Sequence, residues 1–335
     1  MNTTWHKVLF LGVLFGVIVI LNIQPQTQGI EIFEDRSTNL LTADNARLLP
    51  HQLIGEDSFV KQEAPPEVSI SDAQALVPLS GGPLEQNSYE SNRLFLKTRL
   101  ALAVDIDSGE RLYELNTKER WPIASLSKLM TAVVATKFLE KGQVIQITEA
   151  DFNPLDPSEF HSLKVGQSYT VEDLIRAMMI GSSNQAAEAL SRSSGREEFI
   201  VEMKNQAVAW GMFNTYFGDP TGLSSANQST LDDLEIFMGH IWREYPGILA
   251  YSKNSIKTLT DPVTGKPVVI YAINKFASRP DFLGGKTGYT DIAKENLISV
   301  FNVNNRTVLT IILGSDDRFG DTEILLGWAK NKLDI

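Results

Sequence analysis

The hydrophobic pattern divides the chain into three stretches. Lys7 precedes an apolar run over residues 8–23, broken only by Gly12, Gly16 and Asn22. Residues 24–93 show neither helical nor strand period, and Pro25, Pro50, Pro65, Pro66, Pro78 and Gly81-Gly82-Pro83 punctuate them. Periodic segments resume near residue 94. An apolar run over 100–105 predicts a strand, Asp107-Ser108-Gly109 a turn, and 111–115 the returning strand. Leu126, Leu129, Met130, Val133, Val134 and Phe138 form a stripe at helical spacing, predicting a helix from Ser125 that stops at Gly142. Thr170 caps a second helix over 171–180, with Glu172 and Asp173 in its first turn. Residues 185–190 are again helical. Runs over 297–303 and 306–313, joined by Asn304-Asn305, predict a hairpin, and an amphipathic helix covers 322–333. Strands at both ends with helices between them predict an α/β (α+β) layer fold without repeating βαβ units.

Composition sharpens this division. The chain has 335 residues, 43% of them hydrophobic, enough for one large domain plus accessories. The absence of cysteine excludes disulfides, thiolate metal sites and a cysteine nucleophile. Four scattered histidines suggest no metal site, and no cofactor is expected. A formal net charge of −11 argues against a nucleic-acid partner, since a phosphate backbone demands a basic face. Residues 24–95 hold 11 Asp/Glu and 4 Lys/Arg, so most of the acidity sits there. That stretch reads as a largely disordered linker over 24–93, of typical reach about 45 Å. The run within residues 1–23 reads as an uncleaved membrane anchor, because no Ala-x-Ala-like site follows it; a cleaved signal peptide is the alternative. Its flanking charges place the remainder outside the cytoplasm, with 94–335 as the catalytic domain.

Three short words supply the chemistry: Ser125-Leu126-Ser127-Lys128, Ser182-Ser183-Asn184 and Lys286-Thr287-Gly288. Each alone is weak, but the ordered triple is specific. No histidine is placed to activate Ser125. Lys128 lies one turn on, so its amine can take the hydroxyl proton if its pKa is lowered. Burial and a second cation, with Lys286 the natural one, would lower it. Backbone N–H groups at the helix start suit an oxyanion. Ser182 could relay the proton to a leaving group, and Asn184 could donate to a substrate amide. The glycine-rich run 284–290 resembles an exposed strand edge where a ligand backbone could pair, and Lys286 with the Thr287 hydroxyl could hold a carboxylate.

With these words placed, residues 100–328 resemble the serine-type D-alanyl-D-alanine carboxypeptidases, the low-molecular-mass penicillin-binding proteins. Asp105-Ile-Asp-Ser-Gly109, Pro122-Ile-Ala-Ser, Pro220-Thr-Gly-Leu223, Ala272-Ile-Asn274 and Gly285-Lys-Thr-Gly-Tyr-Thr290 carry the likeness. The resemblance implies a β-lactamase/transpeptidase-like fold, with an antiparallel five-stranded sheet flanked by helices plus a helical subdomain. It implies Ser125 as the acylated residue, Lys128 as general base and Ser182 as proton-transfer partner. Lys286 would bind substrate, with Thr287, Gly288 and Tyr289 on the same strand. The N–H groups of Ser125 and Tyr289 would form the oxyanion hole. It further implies peptidoglycan stem peptides as substrate and β-lactams as covalent inhibitors, outside the cytoplasm of a bacterium.

Three departures stand out. Lys294 occupies a position where the family commonly has glycine. The arginine that relatives carry after the last strand, for the substrate's terminal carboxylate, is matched only loosely by Arg318. The chain leaves no room after Ile335 for the extra C-terminal β domain and anchor of many relatives. A DD-endopeptidase acting on cross-links fits the same words. A serine β-lactamase fits less well, because no Glu-x-x-Leu-Asn-like word lies between Asn184 and Lys286. An inactive wall-binding module conflicts with the complete set of reactive residues.

Overall fold

Leu100–Asp105 is buried on both faces, which is why its apolar residues run on without alternating. The computed structural model describes residues 94–153, 156 and 163–333. The expected anchor and linker lie outside the described residues. Among the described residues no helix is long and apolar enough to cross a membrane.

In chain order the elements are β1 (Leu100–Asp105), β2 (Glu110–Leu115), β3 (Trp121–Pro122), a 3₁₀ turn (Ala124–Ser127) and α1 (Lys128–Phe138). Then follow β4 (Val144–Gln146), a second 3₁₀ turn (Glu149–Asp151), β5 (Ser168–Thr170), α2 (Val171–Gly181), α3 (Asn184–Ser193) and α4 (Arg196–Ala209). Next come β6 (Gln228–Ser229), α5 (Leu231–Glu244), α6 (Pro246–Tyr251), β7 (Ile256–Thr260) and β8 (Pro267–Tyr271). The chain finishes with β9 (Phe282–Thr290), β10 (Lys294–Val303), β11 (Arg306–Ser315) and α7 (Arg318–Leu333).

Five strands form one antiparallel sheet in the order β2-β1-β11-β10-β9, the mixed α/β architecture that the resemblance implies. Ala101, Ala103, Val308 and Ile312 face Leu325 and Ala329 of α7. The opposite face, with Leu102, Val104, Leu309 and Ile311, joins the larger core built on α1, α2, α3 and α5. Helix α1 is buried from Lys128 to Ala135 on every side, as befits a central helix.

Local chemistry explains most boundaries. The Thr170 hydroxyl accepts from Asp173 N at 3.1 Å, capping α2 as expected. Asn304 and Asn305 both have left-handed backbone, φ 52° and 62°, the requirement of a two-residue hairpin turn between β10 and β11. The helix expected from Ser125 begins three residues later. Ser125 sits instead in the tight 3₁₀ turn, and α1 ends at Phe138 because Leu139 is extended, ahead of Gly142. Helix α7 starts at Arg318, four residues before the periodic stripe.

The turn from β9 into β10 leaves Lys294 exposed at φ 57°, a left-handed conformation that L-residues resist by about 1–2 kcal/mol. Glycine adopts it freely, so the substitution noted in the sequence carries a conformational cost. Lys294→Gly is expected to raise stability by about 1 kcal/mol, a melting shift of about 2–4 °C. A calorimetric scan of both proteins checks this.

Candidate active site

The site forms where the turn before α1, the α2–α3 junction, the 219–227 loop and β9 meet. Lys128 is completely buried, and its Nζ lies 2.8 Å from Ser125 Oγ. The same amine donates to the Thr221 carbonyl at 2.5 Å. Burial pulls its pKa from the ordinary 10.5 to about 7, against the opposing charges of Asp219, Asp156 and Glu188. An amine that sheds its proton near neutral pH, in contact with a hydroxyl, is a base for that hydroxyl. In an unfolded chain this lysine keeps its proton up to about pH 10.5. Between about 7 and 10.5 the folded state therefore binds fewer protons, and this group's contribution to stability rises with pH.

Helix α2 stops at Gly181, and Ser182 takes the left-handed capping position at φ 56°. That conformation turns the chain sharply into α3 and presents the Ser182 hydroxyl to Lys286 Nζ at 2.7 Å. Lys286 also donates to the Thr287 carbonyl at 2.8 Å and is almost fully buried. Burial lowers its pKa well below the ordinary value, and the charges of Lys128 and Arg318 lower it further. The sequence suggested burial and the Lys286 charge as causes of the Lys128 shift; in the structure burial lowers it.

Close backbone packing holds these pieces in place. Ala124 is left-handed at φ 48° immediately before Ser125. Gly222, at φ 85°, lies so near that a Cβ there would collide with the Ala124 carbonyl. Gly288 of β9 is the counterpart on the other side. A Cβ there would stand 2.9 Å from Ile123 O and 3.2 Å from Ser125 N. Both glycines are required by the approach of other backbone.

The expected residues do not all behave as the sequence suggested. Asn184 Nδ2, expected to donate to substrate, donates to Asp156 Oδ2 at 2.7 Å, while its Oδ1 has no partner among the described residues. Its acceptor is therefore the atom left available. The Tyr289 side chain is exposed and bonds Asp291 at 2.9 Å, leaving only its backbone near the site. Thr287 is buried on β9. Arg318, at the first turn of α7, donates from Nη1 to the Gly288 carbonyl at 2.8 Å, and its backbone N–H bonds Glu295 at 3.0 Å. Its buried Nε has no partner among the described residues. The loosely matched arginine thus sits against the strand that carries Lys286. The 219–227 loop is the part that sequence reading left without a role; its signal was the turn word Asp219-Pro220-Thr221-Gly222.

Residues 87–317 match the family described as D-alanyl-D-alanine carboxypeptidase. The chain belongs to that family. A D-alanyl-D-alanine endopeptidase of Pseudomonas aeruginosa is 30% identical over 263 residues, covering 76% of this chain and 81% of that protein. A D-alanyl-D-alanine carboxypeptidase of Bacillus subtilis is 26% identical over 69% of this chain, and the match spans 61% of that protein's length. Among solved structures, penicillin-binding protein D2 from Listeria monocytogenes in its cefotaxime-bound form superposes with a TM-score of 0.62. It shares 30% identity, over 70% of this chain and 98% of that one.

For this D-alanyl-D-alanine carboxypeptidase family member, the fit of Gly222 against Ala124 is a sharp test of the site's construction. Gly222→Ala is expected to destabilise the protein by about 2–4 kcal/mol, from the left-handed backbone plus overpacking. It should also abolish penicillin labelling of whatever protein folds. Denaturant titration and a fluorescent-penicillin gel measure the two effects.

Proposed function

We propose that this protein hydrolyses the terminal D-Ala-D-Ala bond of peptidoglycan stem peptides through an acyl-enzyme on Ser125, and that penicillins acylate the same residue. The observation that carries this reading is the buried Lys128 amine 2.8 Å from Ser125 Oγ, with a pKa near 7. The match to the carboxypeptidase family and the likeness to a cefotaxime-bound penicillin-binding protein support it.

In the proposed reaction, neutral Lys128 takes the Ser125 proton as Oγ attacks the carbonyl carbon of the penultimate residue. The N–H groups of Ser125 and Tyr289 stabilise the resulting oxyanion. Collapse breaks the C–N bond, and the proton that Lys128 took passes through the Ser182 hydroxyl, which Lys286 holds, to the leaving D-alanine amine. Water then adds to the ester with Lys128 again as base, releasing the shortened peptide. Lys286, the Thr287 hydroxyl and Arg318 supply positive charge and donors for the substrate's terminal carboxylate. Asn184 contributes through its Oδ1, which has no partner among the described residues.

A second reading has a specific observation behind it. The endopeptidase of P. aeruginosa matches a larger share of both chains than the carboxypeptidase of B. subtilis does. Both activities attack a bond after D-alanine through the same acyl-enzyme, and differ in whether the leaving group is free D-alanine or a cross-linked peptide. Digestion of purified muropeptides distinguishes them: release of D-alanine from pentapeptides supports the first, and splitting of dimers the second. The proposal also places the enzyme outside the cytoplasm of a bacterium, tethered by the apolar run over 8–23 through the acidic segment; fractionation and N-terminal sequencing test this.

Two outcomes are expected. Intact-mass analysis after penicillin treatment should show one adduct, absent in Ser125→Ala; an adduct in that variant would refute the assignment. The acylation rate should rise with pH through a limb near 7, since only the neutral amine accepts the proton. Lys128→Ala should lower the rate by about 10²–10⁴-fold, and Lys128→Arg by nearly as much because a guanidinium keeps its proton.

A further inference from the structure

Asp219 is buried and lies outside the three sequence words, yet it gathers more donors than any residue those words name. Its Oδ1 accepts from Thr221 N, Thr221 Oγ1 and Gly222 N, each at 2.6 Å, and its Oδ2 accepts from Ser224 N at 2.7 Å. Asn227 closes the turn from behind. Its Oδ1 accepts from Gly218 N at 2.8 Å and Asp219 N at 3.2 Å. Its Nδ2 donates to Asp219 O at 2.9 Å and to Ser127 Oγ at 2.8 Å. Two carbonyls of the turn point at α1. Pro220 O accepts from Thr131 Oγ1 at 2.6 Å, and Thr221 O accepts from Lys128 Nζ at 2.5 Å.

We propose that Asp219 is the positioning residue for Lys128: its carboxylate fixes the turn that aims the Thr221 carbonyl at the amine, and its charge sets how tightly the amine holds its proton. The inference rests on the reading of Lys128 as the base of the acylation step. A neutral amine has two N–H bonds and one lone pair. The Thr221 carbonyl takes one N–H, which turns the lone pair toward Ser125 Oγ. Without that acceptor the amine rotates freely, and the lone pair meets the hydroxyl only part of the time.

Asp219 from the turn, Asp156 and Glu188 of α3 oppose deprotonation of Lys128, and Asp219 is the strongest of the three. Glu188 is gripped by Arg196 at 2.7 and 3.2 Å, which offsets its field. Lys128 itself and Arg318 of α7 both act on Lys286 of β9, lowering its pKa. Asp219 forms no ion pair among the described residues. Backbone dipoles and a hydroxyl hold its charge, and it interacts at longer range with Lys128 and Arg196.

The test is the pH profile of acylation by a fluorescent penicillin, with the full chain, for wild type, Asp219→Asn and Thr221→Val. Asp219→Asn keeps the shape and removes the charge. Its acid limb should move to lower pH by about one unit, with the plateau lowered about tenfold. Thr221→Val keeps the charge and removes one donor to it, so the plateau should fall with the limb unmoved. A purely architectural Asp219 would lower melting temperature and active fraction while leaving the limb in place; an unmoved limb in Asp219→Asn overturns the inference. If Asp219→Asn does not fold, a wild-type plateau in Thr221→Val overturns it. Absence of acylation in wild type would instead refute the functional reading beneath it.

Discussion

Taking an ammonium out of water costs several kcal/mol, and this fold buries two lysine amines in one cleft. Lys128 and Lys286 are each almost inaccessible, and each is met by a hydroxyl and a backbone carbonyl, with no carboxylate in contact among the described residues. Carboxylate partners would hold both amines protonated. Carbonyls and hydroxyls satisfy the N–H groups yet let a proton leave. The site's chemistry depends on this choice of partners, because it places an amine's pKa near neutrality without destroying its hydrogen bonds.

The surrounding architecture serves that arrangement. A central helix buried on every side gives Lys128 a fixed origin. The edge strand β9 brings Lys286 in from the opposite direction and packs Gly288 against the backbone of Ile123 and Ser125. The 219–227 loop adds the third wall, with Gly222 against Ala124. Left-handed backbone at Ala124 and at Ser182 puts strain beside both hydroxyls. Such strain persists only where neighbouring packing over-determines it.

Much of this was legible in the chain. The Thr170 cap and the Asn304-Asn305 turn each follow from a local rule and the structure keeps both, while of the stripe from Leu126 to Phe138 it buries all but Phe138. The three words named every side chain of the lysine–hydroxyl pairs. Helix α4 was harder to see. Phe199, Ile200 and Met203 face inward, but Val201 and Val208 are exposed on its outer side and blur the stripe. Short ribbons such as β7–β8 carry too few residues for a period to show. The start of α1 was misplaced because hydrophobic spacing does not distinguish a 3₁₀ turn from the α-helix it leads into. The Asp219 loop escaped for a different reason. Its contribution is a carbonyl at Thr221, and a backbone atom leaves no mark in the sequence beyond the glycine and acid that shape it.

The order of strands has a consequence for how such a chain reaches its native state. The centre of the sheet is β11, which pairs with β1 through Leu100↔Leu313. Contacts of such sequence separation carry a high loop-closure cost and slow folding. The first strand must therefore wait for nearly the whole domain to be synthesised before finding its neighbour. Losing the final strand and helix would split the sheet through its middle, leaving the β1–β2 hairpin without a partner. The final strand and helix of the domain are thus the elements that join its two halves.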